Sequence, residues 1–552
     1  MVKTFFTVAL RNIARNKLTT FINVAGLAIG LAASLLILLW VQNELSYEKF
    51  NENAENIFRI EEDQFYSGER YHVTVTPFPS GPVWKEKIPE IREQVRINRL
   101  PRMLFRKDDK VFYESALIAA DSTIFRIFTM PFVSGDPGTA LNAPNSVVLT
   151  KKLASKYFGD EDPIGRSIVL ENKITVMVTG VMKDLPRNSN FTFEAILPYS
   201  LQDELRVRMS TSWGDNSLFT YVLLQGGAVK ENVNKKLTEV VLEHNPETTT
   251  KFMIFPLLDI HLHQQFGYGQ NNGPIIAVYV FTLIAIFILV IACINFINLS
   301  TAKAAGRAKE IGIKKASGAD RKTIFIQFML ESLLQVFISL LMAMIIAGLL
   351  LNAFNSLSGK HFTLNDLISL KFIIGFIGAG LFAGLVSGIY PALYLSSFKP
   401  VSVLKGEAVT GGKVTMRRAL VVLQFTLSIL IATLAVFMYL QMKFLQEKDL
   451  GFNKENLICI PMAENVKPKY ASLKEELLKE PLVGGVTAST ANPIRVGSNS
   501  GGADWDGRDP DKHVLIGVNA VDYDYTKTMK MSLVAGRDFD RSFNGDMARD
   551  TL

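Results

Sequence analysis

The chain has 552 residues, of which 48% are hydrophobic and 20% are charged. Its mean hydropathy of +0.21 is too apolar for an ordinary soluble protein, and its length exceeds what one soluble core accommodates. Two cysteines, Cys293 and Cys459, exclude a disulfide framework and a Cys-x-x-Cys metal site. The sequence therefore predicts a membrane protein with sizeable soluble parts, in which the position of the basic residues matters more than the net charge of +7.

Apolar stretches long enough to cross a membrane recur along the chain, at residues 18–42, 274–299, 324–354, 371–396 and 419–440. About 20 helical residues cross the hydrocarbon layer, so each stretch predicts one membrane-spanning helix. Before the first of them, residues 1–17 carry apolar and basic side chains on different helical faces. This predicts an amphipathic helix along the inner leaflet; the alternative is that these residues begin the first span.

Lysine and arginine cluster in three segments, at residues 1–17, 300–323 and 397–418. Basic residues flanking membrane spans are retained on the cytoplasmic side, so all three segments, including the N-terminus, are expected there. The remaining segments are then expected on the periplasmic face: the long segments 43–273 and 441–552, and the short loop 355–370.

Segment 43–273 mixes strand-like alternation with helical patterns. Glycine and proline mark turns within it at residues 134–138 and 163–165. The pattern predicts one α+β domain outside the membrane.

The chain also repeats itself at an offset of about 400 residues. Residues 56–60, Asn-Ile-Phe-Arg-Ile, correspond to residues 456–460, Asn-Leu-Ile-Cys-Ile. Asp121, with the run that ends at Gly135, corresponds to Asp522, with the run that ends at Gly536. Two fragments in one register predict a second α+β domain in the last segment. We expect this domain to be incomplete here, and an intact chain to finish it and add three more spans.

The segment between the second and third predicted spans carries the most specific motif. It runs from Ala308 to Lys322 as Ala-Lys-Glu-Ile-Gly-Ile-Lys-Lys-Ala-Ser-Gly-Ala-Asp-Arg-Lys, followed by a span that opens with Phe and Glu. A second motif, Gly-Ile-Tyr-Pro-Ala at residues 388–392, ends the fourth span. Residues 157–160, 163–165 and 180–186 form a third group, in the first soluble segment.

Together these motifs strongly resemble the FtsX/MacB type of ABC-transporter permease with MacB-like periplasmic core domains. The resemblance implies an α-helical transmembrane bundle plus α+β extracytoplasmic domains, in the bacterial inner membrane. It implies a permease subunit that converts ATP hydrolysis by a separate cytoplasmic ATPase dimer into periplasmic movement. Such movement would export or release a substrate such as a peptide, drug or lipoprotein. A periplasmic adaptor or hydrolase is a further expected partner, and nucleic acid is not. Because two repeats are present, we expect the full-length chain to act as a pseudo-dimer.

The resemblance identifies the basic segment as the coupling helix that docks on the ATPase. The candidate residues are Lys309, Glu310, Ile311, Gly312, Ile313, Lys314, Lys315, Gly318 and Ala319. The alternative is a solvated basic loop whose lysines and arginines serve only to keep the segment on the cytoplasmic side.

Polar residues inside the predicted spans form a second candidate group. Gln327, Glu331 and Gln335 are four residues apart and share one face of the third span. An intramembrane carboxylate is costly and often functional, but near the cytoplasmic end it more often holds helices together. We therefore expect intramembrane polar packing for these three residues and for Asn295 and Asn298, with transport chemistry as the alternative.

No catalytic or cofactor site is predicted in this chain. The glycine-rich run at 411–415 lacks the features of a phosphate loop, because Glu407 replaces the leading glycine and Val414 replaces the serine or threonine. His261 and His263 lack a third ligand, so no metal site is expected. ATP and magnesium are expected on the partner ATPase, which leaves this chain without enzymatic activity.

Two other functions remain open. One is a regulator that relays the state of an ATPase to a periplasmic enzyme without transport, which the same architecture permits. The other is a membrane-anchored sensor, which would need a cytoplasmic signalling module. The predicted cytoplasmic segments, such as 300–323 and 397–418, are too short for such a module.

Overall fold

The computed structural model describes most of the chain. The described residues are 2–15, 17–66, 69–205, 207, 210–264, 273–397, 413–462, 466–494, 499–500, 505–507 and 516–546. They divide into two compact units, one formed by residues 1–47 and 274–444 and the other by 48–273 and 445–552.

The helices are α1 Val2–Arg15, α2 Lys17–Glu44, α3 Ser80–Lys87, α4 Ile124–Ile127, α5 Lys151–Phe158, α6 Lys230–His244, α7 Leu257–His263, α8 Ile275–Gly306, α9 Ala308–Ala316, α10 Arg321–Ser358, α11 Leu364–Leu367, α12 Leu370–Ser396, α13 Lys413–Glu447, α14 Tyr470–Leu478 and α15 Tyr525–Thr528.

The strands are β1 Ile57–Tyr66, β2 Glu69–Val73, β3 Thr76–Pro77, β4 Ile91–Arg99, β5 Met103–Lys107, β6 Lys110–Glu114, β7 Leu117–Ala120, β8 Phe132–Gly135, β9 Ser146–Thr150, β10 Ser167–Leu170, β11 Ile174–Met182, β12 Ala195–Pro198, β13 Asn216–Leu224, β14 Lys251–Pro256, β15 Asn499–Ser500 and β16 Ile516–Gly517.

Among the described residues, five helices are long and apolar enough to cross a membrane, namely α2, α8, α10, α12 and α13. The longest, α10, has 38 residues and so extends about 57 Å, nearly twice the hydrocarbon thickness. Part of it must therefore extend beyond the apolar layer. Together with the α/β domain described below, these helices confirm the predicted fold class.

Helices α2, α8, α10 and α12 pack around one core of aliphatic and aromatic side chains, which includes Leu31, Leu35, Val336 and Leu340. Glycines of α12 allow it to approach α10 closely. A Cβ atom at Gly384 would lie 3.0 Å from Val336 Cγ2, and one at Gly380 would lie 2.4 Å from Leu340 Cδ2. Small residues at such spacing are the usual contact surface between membrane helices.

We expect Gly384→Leu to lower the thermal unfolding midpoint of the detergent-solubilised chain. The new side chain would press on Val336, which is fully buried and branched at Cβ, and overpacking of this kind costs about 1–3 kcal/mol. Gly378→Leu on the same helix is the matched control, because a Cβ atom there meets no atom within 4 Å. Equal midpoints for the two variants would contradict this account of the α10–α12 contact.

Strands β1 to β14 form one mixed sheet in the second unit. Its order is β14-β1-β13-β4-β7-β12-β9-β11-β10-β5-β6, with β2 beside β1, β3 beside β13 and β8 beside β11. The pairs β9–β11 and β7–β12 are parallel, and the other pairs are antiparallel.

The helix α5 shows how local sequence positions the elements of this domain. Thr150 caps its N-terminus by accepting a hydrogen bond from the Leu153 amide at 3.3 Å. Gly159 follows its last turn with φ +64°, a conformation that glycine adopts readily. Between these caps, Leu153 and Tyr157 are buried against the sheet. The motif at residues 157–160 is thus a helix end and the turn after it.

The two parts of the predicted repeat have different outcomes. After Asp121 the Phe128 amide bonds to Ile124 O, and after Asp522 the Met529 amide bonds to Tyr525 O, each at 2.9 Å. Gly135 and Gly536 follow with φ of 90° and 87°. This local geometry therefore repeats at the predicted offset.

The other fragment of the repeat does not match. Residues 57–60 lie in β1, paired with β13 and β14. Residues 457–460 form no strand, and Ile458 and Ile460 are exposed. Extended backbone needs a partner for its hydrogen bonds, and none of the described residues pairs with this segment.

A buried charged cluster joins β1 to the edge strand β2. His72 Nε2 lies 2.7 Å from Glu61 Oε2, and His72 Nδ1 lies 2.8 Å from Asp63 Oδ1. Each ring nitrogen faces a carboxylate oxygen, an arrangement that favours the protonated imidazole, in which both nitrogens donate. Burial lowers the pKa of His72, but the bonds to the two carboxylates outweigh it and raise the pKa above its ordinary value. Arg59 and Arg70 also pair with these carboxylates.

The neighbouring residue Glu62 is fully buried on the other face of β1. Burial raises the pKa of Glu62 to about 8, against the lowering effect of its hydrogen bonds with Gln64 and Asn216. Glu62 is therefore protonated in the folded domain at neutral pH.

We expect the domain to become less stable as pH rises through neutrality. Both groups have folded-state pKa values above their unfolded ones, so each holds a proton in the folded domain that the unfolded chain releases. Glu62 contributes a loss of stability between pH 4.5 and about 8, and His72 contributes one above pH 6.5. The measurement is the unfolding midpoint as a function of pH. His72→Gln and Glu62→Gln should each flatten the dependence in their own range, and an unchanged dependence in both variants would refute the assignment.

Candidate coupling site

Helix α9 is separated from α10 by a short turn whose residues each meet a geometric need. Ser317 follows the helix, and Gly318 has φ +96°, in the left-handed region that favours glycine. Asp320 caps α10, with its Oδ1 accepting from the Thr323 amide at 2.8 Å. Hydrogen bonds with Thr323 lower the pKa of Asp320. The Ser-Gly-Ala-Asp motif therefore forms the tight turn that connects α9 to α10.

Ile311 anchors α9 to two long helices. Its side chain is 2% exposed and belongs to a cluster with Ile324 and Phe328 of α10 and Ala392 and Leu395 of α12. Ala392 is fully buried and directly follows Pro391, so the Gly-Ile-Tyr-Pro-Ala motif supplies part of the surface of α10 and α12 on which α9 packs. We call this surface the seat of α9. The predicted site residue Ala319 packs against the same cluster.

Ile313 lies two positions further along α9, about 200° around the helix axis, and points away from this seat. Its side chain is 53% exposed, which is unusual for an isoleucine next to basic residues. The two isoleucines of the predicted site therefore differ in role, because only Ile313 is accessible to another protein.

Glu310 lies next to two cations. Lys314 Nζ is 2.8 Å from Glu310 Oε1, and Arg307 Nε is 3.5 Å from Glu310 Oε2. Burial acts to raise the pKa of Glu310, but Lys314 and Arg307 hold it below its usual value. Glu310 is thus an ionised, partly exposed carboxylate with its neighbours on the same helical segment.

Lys315 points inward, towards α12. Its Nζ donates to the carbonyl oxygen of Ser396 at 2.6 Å, at the C-terminal end of α12, where the helix dipole favours a cation. Burial and the nearby Arg321 lower the pKa of Lys315. Lys315 therefore ties α9 to α12.

The predicted polar face of α10 makes polar contacts with α9, with Arg307 and with α2 at successive turns. Gln327 Oε1 is 3.3 Å from Lys314 Nζ of α9, and both Glu331 oxygens are 3.0 Å from Arg307 Nη1. Gln335 Oε1 accepts from Asn23 of α2 at 3.4 Å. One turn further, Ser339 Oγ lies 3.3 Å from the carbonyl oxygen of Val24. The spacing of four residues thus places a row of polar contacts inside the bundle.

Asn295 and Asn298 do not join this row. Asn295 lies against Gly26 of α2, where a Cβ atom would come 3.1 Å from its Nδ2. Asn298 Oδ1 is buried and has no hydrogen-bond partner among the described residues. The side chain of Lys309 and residues 398–412, which include part of the predicted linker 397–418 and Gly411, lie outside the described residues.

Sequence analysis did not predict that Arg307 pairs with Glu331, and it missed Asn12 and Asn23 as members of the site. A signal was present for Arg307, because an intramembrane carboxylate requires a cation and this arginine is the basic residue that immediately precedes α9. The asparagines had a weaker signal, since each lies in a helix that is otherwise apolar or amphipathic. Whether such an asparagine reaches α10 depends on how the helices pack against each other.

We expect truncation of Ile311 to destabilise the bundle strongly and truncation of Ile313 to leave its stability almost unchanged. Ile311→Ala should destabilise the bundle by about 2–5 kcal/mol, because it leaves a cavity between α9, α10 and α12. Ile313→Ala should change stability by less than about 0.5 kcal/mol, since the side chain is exposed. Thermal unfolding in detergent measures both, and a destabilising Ile313→Ala variant would be inconsistent with the orientation of α9.

Comparison with known families matches two parts of the chain. Residues 20–240 match the MacB-like periplasmic core domain, and residues 282–400 match the FtsX-like permease C-terminal domain. The second match contains the whole of α9 and its seat.

Curated relatives and a solved structure were also found. The macrolide export ATP-binding/permease protein MacB of Pasteurella multocida is 25% identical over 271 residues, which is 47% of this chain and 38% of the relative. MacB of Bdellovibrio bacteriovorus is 28% identical over 273 residues, with the same coverage of 47% and 38%. The periplasmic region of MacB from Actinobacillus actinomycetemcomitans aligns at 18% identity and a TM-score of 0.29, covering 38% of this chain and 91% of that one. The chain thus spans about two fifths of the length of these curated relatives.

Proposed function

Because the chain is a permease of the FtsX/MacB type, we propose that it is the membrane subunit of an ABC transporter driven by a separate cytoplasmic ATPase dimer. The observation that carries this proposal is the arrangement of α9. Ile311 is locked between α10 and α12, while Ile313 and Glu310 are exposed on the other side.

This arrangement would allow α9 to act as a lever. Closure of an ATPase dimer would press on the exposed side of α9. Because Ile311 is buried and Lys315 is bonded to the end of α12, α9 cannot slide without moving α10 and α12. Packed helices have discrete arrangements, so a push on α9 would become a shift of the bundle, and the chain connects the bundle to the α/β domain. We assign this mechanism, mechanotransmission, to the chain.

The proposed orientation rests on charge. Basic residues crowd the segments that contain α1 and α9, and this charge distribution supports a cytoplasmic location for both at the bacterial inner membrane. The α/β domain is then periplasmic. ATP and magnesium belong to the ATPase in this scheme, and the chain contributes no catalytic group.

The transported substrate is proposed only as a class. The curated relatives are named for macrolide export, and a drug, a peptide or a lipoprotein would each be moved or released by the α/β domain. The turn that repeats after Asp121 and Asp522 supports two related parts of the protein acting as a pseudo-dimer. A periplasmic adaptor or hydrolase would bind the α/β domain.

The test is co-purification from the bacterium that encodes the chain. The tagged, detergent-solubilised protein should retain an ABC ATPase, identified by mass spectrometry and by ATP hydrolysis. Ile313→Asp should abolish this association, because it puts a charge into the proposed apolar contact. Glu310→Lys should weaken it by reversing the exposed charge beside Lys314.

Val133→Asp is the matched control, since this valine of the α/β domain is 50% exposed, close to the 53% of Ile313. It should leave ATPase association unchanged. Full association in both the Ile313 and the Glu310 variants would refute the docking role of α9.

A further inference from the structure

Glu331 connects three separate elements of the membrane unit. Its side chain is 10% exposed, and both of its oxygens lie 3.0 Å from Arg307 Nη1. Its Oε2 also accepts a hydrogen bond from Asn12 Nδ2 of α1 at 3.3 Å. The carboxylate of α10 is therefore bonded both to the start of α9 and to the N-terminal amphipathic helix.

Arg307 holds two carboxylates with one guanidinium. It lies between α8 and α9, with Nη1 on Glu331 and Nε 3.5 Å from Glu310 Oε2. Its Cζ lies 4.6 Å from the ring centroid of Phe328, which fixes the plane of the group. A lysine has the same charge but lacks the planar fork needed to bind both carboxylates.

A polar cavity of about 40 Å³ adjoins the pair. Its lining includes Asn23, Ser300, Arg307, Glu331 and Gln335. Arg307 Nη2 and Asn23 Oδ1 are buried without a hydrogen-bond partner among the described residues, and both residues line this cavity. The cavity is large enough for water, which can hydrogen-bond to both atoms and keep the ion pair solvated without opening it.

We propose that the Arg307–Glu331 ion pair is a joint that passes movement of α9 to α1, and that Glu331 is the positioning residue of this joint. The inference rests on the proposed function of α9 as the coupling helix and adds α1 to the moving parts. Polar packing alone would make Glu331 important for stability. A joint makes it necessary for a fixed geometry between α9 and α1.

The geometry follows from the chemistry of the pair. Among the described residues, Arg307 is the cation that contacts the buried Glu331 carboxylate, and the two stay together because separating them would leave a charge unpaired in an apolar layer. Asn12 binds the same oxygen that Arg307 binds, so α1 moves with the pair. Contacts of α10 with α2 through Gln335 do not involve α1 or α9.

The experiment measures the distance between α1 and α9 in the full chain in lipid nanodiscs. Spin labels are attached at Leu10→Cys and Ala316→Cys, both exposed positions outside the proposed ATPase contact, after Cys459→Ser removes the exposed native thiol. The unmodified joint should give one narrow distance distribution. Glu331→Gln, which keeps the shape but removes the charge, should lose that single distance, and so should Arg307→Lys.

Gln335→Met is the matched control. It removes a buried polar contact from the same face of α10 but leaves the joint intact, so the narrow distribution should persist. Thermal unfolding shows which variants are folded. Arg307→Gln added to Glu331→Gln should cause no further broadening, since both changes remove one interaction. A narrow distribution in folded Glu331→Gln and Arg307→Lys chains would overturn the proposal.

A second measurement separates this inference from the proposed function. In the complex with the co-purified ATPase, ATP with vanadate should shift the α1–α9 distance as one narrow population in the unmodified chain. Glu331→Gln should retain the ATPase but lose that single population. An ATPase that never binds would refute the proposed function, whereas the distances without nucleotide would still decide whether the joint exists.

Discussion

The interaction on which the membrane unit depends is the pairing of a buried carboxylate with a cation. A charged side chain in an apolar span is costly unless it is paired, and Glu331 is bonded within the protein. Its partners come from the start of α9 and from α1, which fixes where both elements lie against α10. Glu331, which in the sequence is an isolated charge in an apolar run, therefore connects α10, α9 and α1.

Close packing adds to this constraint. Glycines bring α12 against α10, and the same two helices form the seat of Ile311. The helix α9 is consequently attached to the bundle by an apolar contact, by a lysine bonded to the end of α12 and by an arginine bonded to α10. Three contacts of different chemistry make α9 part of the bundle, which is the property that a coupling element requires.

Much of the architecture was predictable because it depends on local pattern. Hydropathy predicted the apolar helices, and the alternation in segment 43–273 predicted the α+β domain. The turn before α10 is equally local, because the backbone preferences of Gly318 and Asp320 act within a few residues. The repeat was only partly visible in the structure, because the turn after Asp522 is local whereas a strand at 457–460 would need a distant partner.

The sequence by itself determined which segments are apolar and that a basic motif connects two long helices. Tertiary structure alone decided the direction of each side chain in that motif. It turned Ile311 and Lys315 inward and Ile313 outward, and it brought Arg307 and Asn12 to Glu331. The physical reason is range: hydropathy and helix capping act between near neighbours in the chain, whereas the partner of a buried charge is set by how distant helices pack.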